Sequence, residues 1–158
     1  MRSLGMILLA CVGCSSDPAD VEGDYTIAVT NRDNGCQFAN WTVGEQSASI
    51  PVTVTQSDTT VTAQIKGVTG TFVAFALGSA TYTGEIDGDH LALDLFGTRS
   101  QMSGNCAFTY NSSIIGDVDG DTLTGRVEYT AATNNNPDCA AIEGCLSYQE
   151  FNGTRPPT

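Results

Sequence analysis

Apolar and polar residues alternate with a period of two through much of the chain, the pattern of β-strands buried on one face. Tyr25, Ile27 and Val29 alternate with Thr26, Ala28 and Thr30, which predicts a first strand ending at a turn in residues 31–35. Ile50, Val52 and Val54, then Val61, Ala63 and Ile65, alternate on either side of Ser57-Asp58. With a turn at that dipeptide, Val54 faces Val61 and Ile50 faces Ile65. Pro51 then needs its missing donor on an unpaired side or at a bulge. Two stretches share one pattern: G-E-I-D-G-D-H-L at 84–91 and G-D-V-D-G-D-T-L at 116–123. Each sets Asp-Gly between alternating apolar residues, a strong hairpin signal. A turn at Asp87-Gly88 pairs Gly84 with Leu91, Tyr82 with Leu93 and Glu85 with His90. A turn at Asp119-Gly120 pairs Gly116 with Leu123 and Ser112 with Val127. All three hairpins sort apolar side chains to one face, and a one-residue slip would invert the sorting.

Other segments are less regular. In residues 36–43, Phe38 and Trp41 do not share strand parity, so a short irregular strand or a covering loop is expected, with Trp41 a core or barrel-end aromatic. After a turn at 67–70, residues 71–77 are continuously apolar, which fits a strand covered on both faces or a short helix. Residues 133–138 read as a long polar loop and 146–151 as the last strand. Consecutive hairpins without a clear amphipathic helix give an all-β fold, an antiparallel meander of about eight to ten strands. Closing it into an up-and-down barrel, with the last strand beside the first, hides the sheet edges; a β-sandwich is the alternative.

Composition changes this picture little. With 158 residues the chain allows one domain. Eighteen acidic residues against six basic ones give a net charge of −12, which argues against nucleic acid as a partner.

The N-terminus reads as a targeting segment: Arg2 supplies a positive charge, residues 4–10 a short apolar stretch, and Ala10-Cys11-Val12-Gly13-Cys14-Ser15-Ser16 a processing region. Here the chain resembles a bacterial lipoprotein precursor, in which a cysteine is acylated and becomes the mature N-terminus. Cys14 is preferred and Cys11 is the alternative. The resemblance implies a signal peptide over residues 1–13, a polar tether over 14–22, a barrel domain over 23–155 and a tail over 156–158. It also implies attachment to the membrane through the N-terminal lipid. Neither cysteine is directly followed by the aspartate that retains such proteins in the inner membrane, so the implied address is the outer membrane. From its strand order and the opening Gly23-Asp24-Tyr25, the mature domain resembles lipocalin-like, or calycin-like, barrels.

Cys36, Cys106, Cys139 and Cys145 remain after processing, an even set in an oxidising compartment. Alternating strand directions place all four at one end of the barrel and the two Asp-Gly turns at the other. Closure favours Cys36 with Cys145 and Cys106 with Cys139, with Cys139–Cys145 as the rival bridge. The bridged end is then the expected recognition surface, with Arg99, Met102 and Asn135 as candidate contacts.

Signs of catalysis are weak. Asp117, Asp119, Asp121 and Glu128 approach calcium-loop spacing, but Thr122 stands where the loop needs glycine, and turn chemistry explains them better. His90 is the single histidine and is expected in a surface cross-strand pair. With no nucleophile elbow, phosphate loop or metal-ligand spacing, no catalytic residue, metal or cofactor is assigned, and a non-enzymatic role is expected. Three functions follow: an interaction module at the envelope contacting a protein or glycan, a carrier of a small apolar ligand, or an inhibitor of a periplasmic hydrolase. Large residues at Tyr82, Leu93, Phe108, Tyr110 and Tyr129 favour a filled interior and hence the interaction module, whereas Gly84, Gly116 and Gly125 would leave room.

Overall fold

The last strand lies against the first. In the computed structural model, which describes residues 17–157, the strands are β1 (Gly23–Asn34), β2 (Gln46–Ser57), β3 (Thr60–Ile65), β4 (Thr81–Asp87), β5 (His90–Leu95), β6 (Gln101–Ser103), β7 (Cys106–Asp119), β8 (Thr122–Thr133) and β9 (Leu146–Thr154), with one helix, α1 (Gly67–Leu77), between β3 and β4. Eight strands, all but β6, close an antiparallel barrel in the order β1-β2-β3-β4-β5-β7-β8-β9. Closure comes from the pairing of Ile27 with Gly153 and Val29 with Phe151. The short β6 lies outside this ring and pairs with the upper end of β7, beyond the point where β5 stops.

The period-two pattern decides what faces inward. Tyr25, Val54, Val61, Tyr82, Ile86, Leu91 and Leu93 are buried, while the polar residues between them point outward. All three hairpins keep the expected faces, but each turn sits one residue later than Asp-Gly or Ser-Asp pairing predicts. Gly84 pairs with Leu93 rather than Leu91, Gly116 with Gly125 rather than Leu123, and Val54 with Ala63 rather than Val61. The reason is conformational. Gly88, Gly120 and Asp58 take positive φ as the first turn residue, whereas Asp89 and Asp121 do not. Glycine thus leads a type II′-like turn instead of completing a type I′ one. A shift of one in the turn moves each partner by two, so the faces are preserved.

Residues 67–77, split by the sequence between a turn and an ambiguous apolar run, are one helix. It ends at Gly78, whose φ of 97° is the left-handed conformation that stops a helix, and whose N–H donates to Ala74 O. The 36–43 segment is a covering loop, and residues 98–105 hold β6 and the turn that pairs it with the start of β7. Pro51 sits beside the irregularity between Ile27 and Val29; its carbonyl accepts from Lys66 N, so its missing donor faces the gap where β3 ends.

Gly84, Gly116 and Gly125 do not create interior space. A Cβ on Gly84 would lie 2.1 Å from Ala92 O, and one on Gly125 would lie 2.1 Å from Ile115 O. They stand where neighbouring backbones approach too closely for any side chain.

The two ends of the barrel differ. At the turn end, residues expected to be a tether fold back across the opening. Val21 is fully buried, Ala19 N donates to Gly88 O, and Gln56 bridges Val21 N and Ala19 O. Arg155 completes this plug: it donates to Asp121 at 3.0 Å, to the carbonyls of Glu22 and Asp20, and lies over the Tyr25 ring at 5.8 Å. Burial opposes the Arg155 charge, but the Asp121 hydrogen bond and the neighbouring Tyr25 and Asp20 outweigh it and leave its pKa above the usual value. At the opposite end, Cys36 is bonded to Cys145 and Cys106 to Cys139, with Cα atoms 4.9 and 5.0 Å apart.

This packing sets an asymmetry measurable by denaturation. Leu93→Ala, at a site 1% exposed, should lower stability by about 2 to 4 kcal/mol, and Gly125→Ala by roughly 1 to 3 kcal/mol through overpacking. The exposed Thr124→Val should change it by less than about 0.5 kcal/mol. Equal losses at Leu93 and Thr124 would contradict the observed register.

Candidate functional site

Small and medium side chains line much of the barrel interior. Val29, Val52, Val54, Ala63, Val73 and Val127 take inward positions where aromatic residues would fill the space, and they surround a cavity of about 240 Å³. The expectation of a filled interior is therefore corrected. Tyr82, Leu93 and Tyr129 line this cavity without filling it, whereas Phe38, Trp41, Phe108 and Tyr110 gather at the mouth, where Phe38 lies 4.8 Å from Tyr110 and 5.8 Å from Tyr129 between ring centroids. Trp41 is thus a barrel-end aromatic, held by its indole N–H donating to Arg32 O at 2.8 Å. On the other side of the mouth α1 forms the wall, with Thr69 and Val73 facing the cavity.

None of the residues lining the cavity is charged. Its polar groups form a band near the mouth. Tyr129 donates its hydroxyl to Gln149 Oε1 at 2.9 Å, and Gln149 donates its amide to Asn31 Oδ1 at 2.7 Å. Across the barrel, Tyr82 donates to Ser112 Oγ at 3.0 Å, and Ser112 is the cross-strand partner of Tyr129. Burial pushes the Tyr82 phenol up to about 12, with the Ser112 hydrogen bond a smaller opposing effect, and pushes Tyr129 up further, with the nearby Tyr82 adding to the shift. Both phenols therefore stay neutral across the physiological range, and after their internal hydrogen bonds each keeps acceptor capacity for a ligand. A charged guest would lose its hydration here and find no counter-charge. A neutral apolar body with one hydrogen-bonding end fits both the lining and the band.

The residues singled out in the sequence are distributed otherwise. Arg99 packs beside Gly78 at the end of α1, and exposed Met102 lies in β6. Asn135 sits at a left-handed position after β8, on the loop whose Asn134 donates to Asn105 O. The mouth gathers all three, but none lines the cavity. His90 pairs with Asp117 of β7, not with Glu85, because the later turn sets it opposite Asp87 and β5 meets β7 on its other side. Asp117 is thus engaged with His90 while Asp121 holds Arg155, so these carboxylates serve separate contacts. No group of three or more metal-ligating side chains converges among the described residues. Cys11 and Cys14 lie outside the described residues. Sequence reading missed the contribution of α1 and the Asn31–Gln149–Tyr129 chain. The inward parity of Gln149, a polar residue two positions before Phe151, was the available signal.

The tyrosines give a direct test. A raised folded-state pKa means that above pH 10 the unfolded chain releases a proton the folded chain retains, so stability is full below that pH and falls as pH rises. For Tyr82, shifted to about 12, the loss should approach roughly 3 kcal/mol between pH 10 and 12. Denaturation curves should show it, and Tyr82→Phe should flatten the decline; the part of the phenolate absorbance that Tyr82→Phe removes should appear only as the barrel unfolds.

The chain matches no protein-family model, and neither the curated proteins nor the solved structures contain a match to it.

Proposed function

We propose that the protein is a binding barrel for a small, neutral, apolar molecule. The observation that carries this reading is the uncharged cavity of about 240 Å³ inside a barrel otherwise packed to its walls. Its volume corresponds to about eight water molecules of liquid and lies just below the usual range for drug-sized ligands. The guest is thus the size of a short hydrocarbon chain or a pair of aromatic rings, with its polar end at Tyr129 or Tyr82. The absence of any lining charge favours neutral molecules over fatty-acid anions.

The leader sequence supports delivery of this barrel to the cell envelope and attachment there through Cys14 or Cys11. The chain enters the barrel at the plugged end, so a lipid at Cys14, seven residues before Val21, would lie within about 25 Å of that end. The lipid would thus hold the plugged end near the membrane, while the open mouth carries Arg99, Met102 and Asn135, the residues expected to make envelope contacts.

Titration with the neutral fluorophore N-phenyl-1-naphthylamine tests the cavity. Saturable binding is expected, with Val127→Phe and Ala63→Leu weakening it by about tenfold or more through lost volume while thermal stability is kept. Binding that survives both substitutions would place the probe elsewhere and refute the proposal. For the anchor, protein purified from its own envelope should carry a diacylglyceryl mass increment on an N-terminal cysteine. The Cys11→Ser, Cys14→Ser double variant should lack it and move from the detergent to the aqueous phase on detergent partitioning.

A further inference from the structure

Outside the cavity, the largest departure from polar-out sorting is at α1. Its sequence, GVTGTFVAFAL, contains no charged residue, and it is apolar on two faces. One face, with Thr69 and Val73, borders the cavity. The other places Val68 at 73%, Phe72 at 70% and Phe75 at 77% exposure. Phe96 and Met102, at 75% and 66%, stand out on the segment that follows β5. That segment is fixed to the helix by Thr98 N donating to Leu77 O at 2.8 Å, so these side chains belong to one end of the barrel. Isolated exposed apolar residues are ordinary, but a group of three phenylalanines, a valine and a methionine around one helix marks an interaction surface.

Charge identifies the partner. No Asp or Glu occurs in residues 59–84 or 95–116, the two segments that build this surface. Each contains one cation, Lys66 just before α1 and Arg99 beside its C-terminal Gly78. These two meet no carboxylate among the described residues. Arg32 pairs with Glu150, Arg126 with Glu128, and Arg155 with Asp20 and Asp121. Among the described residues, the two cations without a carboxylate partner, Lys66, whose Nζ donates to Gln64 Oε1, and Arg99, thus flank the exposed phenylalanines.

We propose that the outer face of α1, with Phe96 and Met102 beside it, docks on an anionic lipid bilayer. The phenylalanines enter the boundary between headgroups and acyl chains, and Lys66 and Arg99 remain at the level of the phosphates. A second copy of the chain fits less well: a self-complementary contact would bring together two copies of the same cation-flanked apolar face, whose one neighbouring acid, Asp94, already accepts from Ser113 Oγ. The net charge does not forbid the contact. The acids of the plugged end, among them Asp58, Asp87, Asp89, Asp119 and Asp121, are separated from the mouth by the length of β7. Its 14 residues span about 35 Å along a tilted barrel axis, some four screening lengths at physiological salt. The acids nearer the mouth are Asp33 at the end of β1, Glu45, Asp138 and Glu143 on the loops carrying the disulfides, and Asp94 of β5, two residues before Phe96; Asp138 accepts from the backbone and side chain of Asn105, and Asp94 from Ser113 Oγ. Docking is independent of the cavity proposal, since it uses the opposite face of α1.

The test uses the full chain with Cys11→Ser and Cys14→Ser, so that no acyl anchor contributes. On vesicles of phosphatidylglycerol and phosphatidylcholine in equal parts, flotation should recover the protein, with less recovered at high salt or on phosphatidylcholine alone. Adding Phe72→Ser and Phe75→Ser should lower binding by about tenfold, and Lys66→Glu with Arg99→Glu should do the same, with circular dichroism unchanged. To locate the contact independently of the leader, Phe72→Trp should be quenched by bromines on the acyl chains more strongly than Trp41 is in the parent. Flotation unaffected by both pairs of substitutions, or no added quenching at position 72, would overturn the proposal. So would a concentration-dependent dimer in sedimentation that the Phe72→Ser, Phe75→Ser pair abolishes in the absence of vesicle binding, since the face would then belong to a second copy. A fluorophore that still binds the Phe72→Ser, Phe75→Ser variant would show the cavity intact even where docking fails.

Discussion

The constraint on which the structure depends is closure of the sheet, made by pairing β9 with β1. An antiparallel meander of this length has two edges whose unpaired amides and carbonyls would recruit other chains. Residues 26–31 of β1 meet residues 149–154 of β9 in register, which removes both edges at once. Closure then dictates much of the remainder. It brings Cys36 to Cys145 across 109 residues of sequence, and it carries Arg155 back to the carbonyls of Asp20 and Glu22. Eight strands also fix the interior at a width that side chains can just fill. Whether a cavity remains depends on the volumes chosen for the inward positions, and valine and alanine at several of them leave it open.

The ends divide the work. Tight two-residue turns and the Val21–Gln56–Arg155 plug seal one end with little surface beyond them. The other end carries the helix, the aromatic cluster, both disulfides and the longer loops. Covalent bridges at this end hold down segments that backbone pairing alone would leave loose, since removing the conformational freedom of long loops stabilises most where few ladder bonds exist. A scaffold that is rigid by pairing and variable only at one rim suits recognition at that rim.

The hairpin faces and the closed barrel were legible in the sequence because strand parity depends only on alternation. The turns were misplaced because Asp-Gly-Asp contains two turn dipeptides. Asp87-Gly88 and Gly88-Asp89 both satisfy a two-residue loop, through type I′ or type II′ geometry, and alternation cannot choose when the two solutions share their faces. The helix was ambiguous for a related reason. Periodicity reports a contrast between faces, and α1, apolar toward the cavity and apolar outward, has little contrast to report. The cavity was illegible because it depends on summed side-chain volume and not on any motif; Tyr82 and Tyr129 read as filling residues, yet they line the cavity and leave it open. Val21 was assigned to a tether because its neighbours Asp20 and Glu22 are acidic, although its side chain, with Gln56 and Arg155, closes the barrel floor.

The interior must be reached through some part of its wall, and the parts differ in what opening them would break. Between strands a passage would cost several ladder hydrogen bonds together, and at the floor it would expose Val21 and strip Arg155 of its partners. The loop carrying Phe38 and Trp41 is tied covalently through Cys36, and the one carrying residues 134–145 is tied through Cys139 and Cys145. Among the described residues, α1 borders the cavity with no disulfide to hold it and few buried residues, Gly70 and Leu77. It is fixed instead at its ends, where Gly70 packs so close to Ile65 O that a Cβ would lie 2.2 Å from it, and where Gly78 reverses the chain. Elements with few buried apolar contacts are those that open locally at the lowest free energy. The helix that separates the cavity from the exposed phenylalanines is therefore also the portion of the wall whose displacement disturbs the barrel least.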